Sequence, residues 1–296
     1  MDHGEIAENT LEEICCNIFG CDFIMRSPQT HEASGDKELT DILVLIDDVM
    51  LIFQSKSMLA EITEINETVL GRIDKRHSSA KTQLNTTLNA GTRNANVSGC
   101  TPLGVRYELD WGYINKKIGV VTLHLNDALY CDPEARFQIP FAVEEHNGIQ
   151  VHTFLLNDLM QIQDEITTAG DFMQYLELRD KMWRTDGMFS LGNELDLLAV
   201  FKIRYDAIQA YLSSEIQGLT IQPGFWEEYK SGYVKEKEAR VSKLSMSKYI
   251  DYIIRDLHRA VPHCVSTQGI TYQESASGYI RVIGKLAKLT RLERAE

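Results

Sequence analysis

Asp41-Ile-Leu-Val-Leu-Ile-Asp-Asp-Val-Met-Leu-Ile-Phe-Gln-Ser-Lys56 is the stretch that decides the fold. Two β-branched and aliphatic runs, 42–46 and 49–53, flank a polar break at Asp47-Asp48, which is the pattern of a tight β-hairpin. Asp-Asp is a weaker turn than Asn-Gly. If these two residues nevertheless form the whole loop, Ile46 faces Val49 and Asp41 faces Gln54. Residues opposed across an antiparallel pair share a face, with Cβ atoms about 5 Å apart. Lys56, two positions beyond Gln54, falls on that same face. The register predicts a carboxylate, an amide and an ammonium gathered at the open end of an apolar hairpin.

Such a trio suits metal-assisted phosphodiester hydrolysis. Carboxylate and amide oxygens are hard ligands for Mg²⁺ or Mn²⁺, and Mg²⁺ usually takes only one or two carboxylates and keeps several waters. A divalent ion lowers the pKa of bound water and stabilises charge developing on phosphorus oxygens. A lysine beside it acts as a point charge on the attacking water or the pentavalent intermediate.

Asp41, twelve intervening residues and then Gln54-Ser55-Lys56 resemble the PD-(D/E)XK restriction-endonuclease-like superfamily. The glutamine form is similar to the Mrr-like branch, in which Q-x-K replaces E-x-K. The resemblance covers residues 5–90 and implies an α/β fold: a restriction-endonuclease-like mixed sheet flanked by helices, here followed by a largely helical C-terminal half. It places Asp41 at the start of the second core strand and Gln54 and Lys56 on the third. It also implies roles: Asp41 and Gln54 hold Mg²⁺ or Mn²⁺, Lys56 orients the attacking water, and a glutamate on the first helix completes the metal site. The best-placed candidate for that last role is Glu12. The substrate implied is nucleic acid, DNA before RNA. More loosely, the chain looks like a bacterial defence-type protein, the effector of an anti-phage or restriction system licensed by a protein partner or by self-association. Two departures stand out. Thr40 occupies the nominal proline position, and Gln54 removes one negative charge from the metal site.

The upstream residues agree with this order. Apolar residues at 11, 14, 15, 18 and 19 have the spacing of an amphipathic helix over 5–19, with Glu8 and Glu12 bordering the apolar stripe. Cys21–Met25 reads as a short first strand, and Ser27–Lys37 as a polar loop. Residues 58–90 are polar and helix-prone, and carry Arg72, Lys75, Arg76, His77 and Lys81. A helix, three strands and a helix make an α/β core. The expected division is a nuclease-like core over 1–95 and an α/β extension over 105–296 that becomes helical, completing the sheet or binding a partner. The Gly-, Asn- and Ser-rich stretch 91–104 is the candidate linker. Strands are expected at Lys117–His124 and Ile149–Leu156. Helices are expected from Asn157, through 169–182, over 194–216 and 244–260, and over 279–294.

Composition bounds the function. The chain has 296 residues and a formal net charge of −13, which opposes free binding of a phosphate backbone. Residues 1–70 hold 15 acids against 3 bases, so that region alone carries −12. Basic residues cluster in 72–81, 230–243 and 281–294, and any phosphate-binding surface is expected from those segments, a metal or a partner. No apolar run is long enough for a membrane span and no secretory signal is visible, so a cytoplasmic location is expected. The six cysteines follow no C-x-x-C pattern and read as small buried hydrophobes. His124 and His152 lack ligand-spaced neighbours and read as packing, as do Trp183 and Trp226. P-loop, dinucleotide-binding and nucleophile-elbow motifs are absent from the sequence. Two further readings compete with the nuclease: a catalytically inactive member of the same fold that binds nucleic acid or a partner protein, and a structural subunit working through its helical half.

Overall fold

The computed structural model describes residues 3–32, 35–58, 67–131, 143–185, 188–233, 247–266 and 283–294. Strands β3 (Ile42–Ile46) and β4 (Val49–Met58) form the predicted hairpin, with Ile46 opposite Val49 and Ile42 opposite Phe53. The loop is therefore Asp47-Asp48, and Asp47 sits at φ 53°, a left-handed conformation that aspartate tolerates. Neighbours stiffen this weak turn. The Tyr113 hydroxyl donates to Asp47 at 2.8 Å, and Asn115 and Lys288 donate to Asp48 at 3.1 and 2.7 Å.

Around the hairpin stands one nine-stranded mixed sheet, ordered β6-β5-β1-β3-β4-β7-β9-β8, with β2 paired to β1. The remaining strands are β1 (Ile24–Glu32), β2 (Gly35–Glu38), β5 (Val97–Cys100), β6 (Arg106–Glu108), β7 (Lys116–Leu125), β8 (Val143–His146) and β9 (Ile149–Leu155). The β4–β7 and β7–β9 pairs are parallel and every other pair is antiparallel. Helix α1 (His3–Phe19) covers one face, where Phe19 packs edge-on to Phe53. Helix α2 (Glu67–Thr92) lies between β4 and β5 in the chain and covers the other face with Ile73, Ala80 and Leu84. Strand β4 divides its side chains accordingly: Leu51 and Phe53 toward α1, Met50 and Ile52 toward α2. Burial on both faces explains its unbroken apolar run.

The second half completes this sheet. Helices α3 (Asp127–Cys131), α4 (Leu156–Glu165), α5 (Ala169–Arg184), α6 (Glu194–Ile203), α7 (Tyr205–Leu212), α8 (Phe225–Gly232) and α9 (Ser247–Ser266) follow, and a short helix spans 283–288. A buried cluster locks β9, α5 and α6 together. Arg179 pairs with Glu194 at 3.0 Å, donates to the Thr153 carbonyl and lies over the Phe154 ring, while the Tyr175 hydroxyl donates to Glu194.

Several expectations change. Residues 21–23 form a 3-10 turn, and β1 begins at Ile24 and runs to Glu32 through the expected loop, with a register shift between Arg26 and Gln29 around Pro28. A bulge is where a strand accommodates proline. Stretch 91–104 contributes β5, which pairs with β1 and β6. The 194–216 helix breaks at Arg204, and the expected loop over 218–233 contains β11 (Gly218–Ile221), paired in parallel with β10 (Met188–Leu191), and α8. Cys16 and Cys21 are disulfide-bonded across the α1–β1 turn, Cys100 and Cys131 are free and exposed, and Cys15 is free and buried as expected. The expected helical residues 58–66 (beyond Met58), 244–246 and 279–282, and the bases Lys235, Lys237, Arg240, Lys243 and Arg281, lie outside the described residues.

The C-terminal segment docks where two glycines admit it. Gly170 lies against the backbone of Lys288 and Leu289, and a Cβ on Gly284 would meet the Asp47 nitrogen at 2.7 Å. Gly284→Ala is expected to cost about 1–3 kcal/mol in urea denaturation, as overpacking does. Gly71→Ala, on α2 with open space around it, is expected to stabilise by about 0.5–1 kcal/mol.

Candidate active site

Asp41 immediately precedes β3, and the hairpin register sets it beside the end of β4. Its two oxygens accept from different groups of that strand: Oδ1 from Gln54 Nε2 and Oδ2 from the Ser55 main-chain N–H, both at 2.6 Å. Both side chains are buried, Gln54 at 1% exposure and Asp41 at 8%. Thr40 closes the corner, its hydroxyl lying 2.6 Å from the Phe53 carbonyl and 3.3 Å from Gln54 Oε1. At the nominal proline position it thus ties the entry of β3 to β4. Lys56 follows on the same face of β4, half-buried. The three predicted residues come together at the carboxyl ends of the parallel strands β4, β7 and β9, the edge of an α/β sheet where ligands bind.

The electrostatics are those of charged groups kept from water. Burial pushes the Asp41 carboxyl up, opposed by the Ser55 N–H, Lys56 and Gln54. Burial pulls the Lys56 ammonium down, opposed by Asp41, with Arg76 of α2 adding to the depression. Glu8 of α1 is also raised, first by burial and then by the Asp41 and Glu38 charges.

Helix α1 offers a different glutamate from the one expected. Glu12 pairs with Arg26 of β1 at 3.0 Å, and Arg26 also donates to Asn9. Glu8, one turn earlier, is the α1 acid whose charge acts with those of Asp41 and Lys56. Both glutamates border the same stripe, so helical periodicity marks each of them. The discriminating residue is Arg26, which pairs with Ile42 beside Asp41 and draws Glu12 to itself.

A polar row on the α1 face went unread. Ser55 Oγ, Ser57 Oγ, Thr122 Oγ1 and His124 Nδ1 are buried with no hydrogen-bond partner among the described residues, and Ser55 pairs with Thr122 and Ser57 with His124 in register. Burial lowers the His124 pKa. His152 is fully buried against Arg179, and burial holds it well below its usual range.

The basic clusters separate. On α2, Arg72, Lys75 and Arg76 are exposed, and Lys81 pairs with Glu144 at 3.0 Å. In the C-terminal cluster Lys288 pairs with Asp48, while Arg291 and Arg294 both pair with Asp251. These latter bases hold the fold together. The cluster beside the site is that of α2. Trp226 is buried and Trp183 half-exposed.

Among the described residues no group of three or more His, Cys, Asp and Glu is arranged to hold a metal ion. The acids alone therefore do not make the expected centre. A mixed donor set does fit a hard divalent cation once the Gln54 amide is turned over. Each Asp41 oxygen accepts one bond and keeps a lone pair, and turning the amide moves its oxygen to the Asp41 side. The raised Asp41 and Glu8 carboxyls are groups whose ionised form a cation would favour. Comparison of the chain with protein-family models, curated proteins and solved structures finds no match.

A raised carboxyl binds its proton more tightly in the folded chain than in the unfolded one, so Asp41 weakens stability as pH rises through its folded pKa. Asp41→Asn is therefore expected to be more stable than the parent chain at about pH 8, with the difference shrinking toward about pH 4. Urea denaturation at the two values checks the sign.

Proposed function

We propose that this chain is a metal-dependent nuclease that hydrolyses phosphodiester bonds, DNA before RNA, as the effector of a bacterial anti-phage or restriction system regulated by a partner. The observation that carries the reading is the opposition of Asp41 and Gln54, with Lys56 on the same face, at the carboxyl edge of the sheet.

Asp41, the turned amide of Gln54 and Glu8 would hold Mg²⁺ or Mn²⁺, which supplies a Lewis acid for the phosphorus oxygens and an acidified water. The Ser55 N–H fixes the Asp41 carboxylate, so the carboxylate needs little reorganisation during reaction. Lys56 donates to the attacking water and balances negative charge arriving with the phosphate. Its half-buried ammonium is less solvated than a surface lysine, which strengthens that interaction. Arg76 and Arg72, one turn apart and exposed on α2, are the bases that would meet a flanking phosphate.

The reading of an inactive nuclease fold is favoured by one observation: the Gln54 amide donates to Asp41, so the two satisfy each other without a cation. Cleavage of plasmid and linear DNA with Mg²⁺ or Mn²⁺ separates the two readings. Cutting is expected from the parent chain, with a loss of at least about 10²-fold in Asp41→Ala and Lys56→Ala. Glu8→Ala is expected to lose more than Glu12→Ala. The absence of cutting together with the absence of metal binding by calorimetry would select the inactive fold. Gln54→Glu, which restores a second charge, is expected to bind Mn²⁺ more tightly than the parent chain, again by calorimetry.

A further inference from the structure

We propose a second ligand site, for a phosphorylated aromatic small molecule of nucleotide size, in the cleft between the α1–β1 turn, α9 and the C-terminal segment. The cleft has a volume of about 450 Å³, within the size range of small-molecule sites. Its floor is apolar, formed by Ile18, Phe19, Phe23 and Ile254. Its rim carries Lys248, Tyr252 and Arg255, all exposed on α9.

The charges at the rim have different jobs. Arg291 and Arg294 converge on Asp251, and their other donors are taken by Thr167, Ser247 and main-chain carbonyls. They build the wall and neutralise Asp251. Lys248 has no ion pair among the described residues. Arg255 pairs with its neighbour Asp256 at 3.8 Å, both side chains exposed. Lys248 and the loosely paired Arg255 are thus the rim cations that can turn to a ligand, with Asp22 the remaining acid of the lining.

Tyr252 supplies the second half of the recognition. It is 54% exposed, and the Arg255 guanidinium carbon lies 4.9 Å from its ring centroid. A flat ring can stack on Tyr252 above the apolar floor while its phosphate meets Lys248 and Arg255, the combination of stacking and cation that binds nucleotides. The cleft is independent of the candidate active site. It touches α1 at Cys16–Phe19, whereas Glu8 lies at least eight residues away, about 12 Å along the helix.

Isothermal titration of the full chain with AMP, ADP, adenosine and inorganic phosphate tests the assignment. AMP or ADP is expected to bind at least tenfold more tightly than adenosine or phosphate. Lys248→Glu with Arg255→Glu, two exposed substitutions, is expected to weaken nucleotide binding at least tenfold, as is Tyr252→Ala, while Asp41→Asn leaves it unchanged. Four results would overturn the proposal: no nucleotide binding at about 1 mM, equal binding of phosphate and nucleotide, full binding by the charge-reversed chain, or loss of binding in Asp41→Asn.

Discussion

The turn at Asp47-Asp48 is the constraint on which the rest depends. A two-residue loop fixes the β3–β4 register, and a slip of one residue would carry every side chain of the hairpin to the opposite face. The apolar faces of β4 would then be reversed between α1 and α2, and Asp41 would lose both Gln54 and the Ser55 N–H. Asp-Asp does not enforce this register by itself. It is clamped from outside by Tyr113 and Asn115, which precede β7, and by Lys288 from the far end of the sequence. Lys288 holds the Asp48 carboxyl below its usual range, with Asn115 contributing after it. The contact joins β7, the C-terminal segment and the hairpin at one point.

The site lies at the other end of the same two strands, and its character follows from that placement. Between turn and site the hairpin is buried on both faces, so the first polar groups on the Asp41 face appear where the apolar cover ends. Asp41 is caught at that border, too buried to be at ease as an anion and held by two donors in place of water. A carboxylate so placed weakens the fold while being fixed in position, as active-site groups commonly are. The Arg179–Glu194–Tyr175 cluster is the contrasting case. There a buried charge pair is enclosed by hydrogen bonds and a phenyl face, and it ties β9 to α5 and α6.

What could be read from the sequence was what local periodicity encodes. The two apolar runs with a two-residue break gave strands, register and the Asp41–Gln54–Lys56 juxtaposition, and the 3.6-residue stripe gave α1. Strand β2 is exposed at all four positions and β1 is polar beyond Met25, so neither carries an apolar alternation. They are strands because β1 finds β3 and β5, which a local pattern cannot encode. The Asn147-Gly148 turn between β8 and β9, with φ of 49° and 77°, is an Asn-Gly hairpin signal, but the four-residue β8 before it is too short to show an alternation. Glu8 and Glu12 were indistinguishable on a helical wheel. Arg26, a residue of another element, pairs with Glu12, while the Glu8 carboxyl feels the charge of Asp41.

The charge distribution bears on the conflict between an acidic chain and the phosphate substrate proposed for it. Much of what reads as basic surface near the C-terminus is internal: Lys288, Arg291 and Arg294 are matched to Asp48 and Asp251 and are not free for a polyanion. Around the site the acids Glu8, Glu38 and Asp41 face Lys56, with Arg26 acting on Glu8 and Arg76 on Lys56. Burial pulls the Lys56 pKa down and the surrounding acids oppose that shift, so the carboxylates that repel a phosphate also favour the charged ammonium. Long-range attraction is left to the exposed bases Arg72, Lys75 and Arg76 of α2, whereas Asp41 is buried. A nucleic acid approaching this edge would meet α2 before it met Asp41.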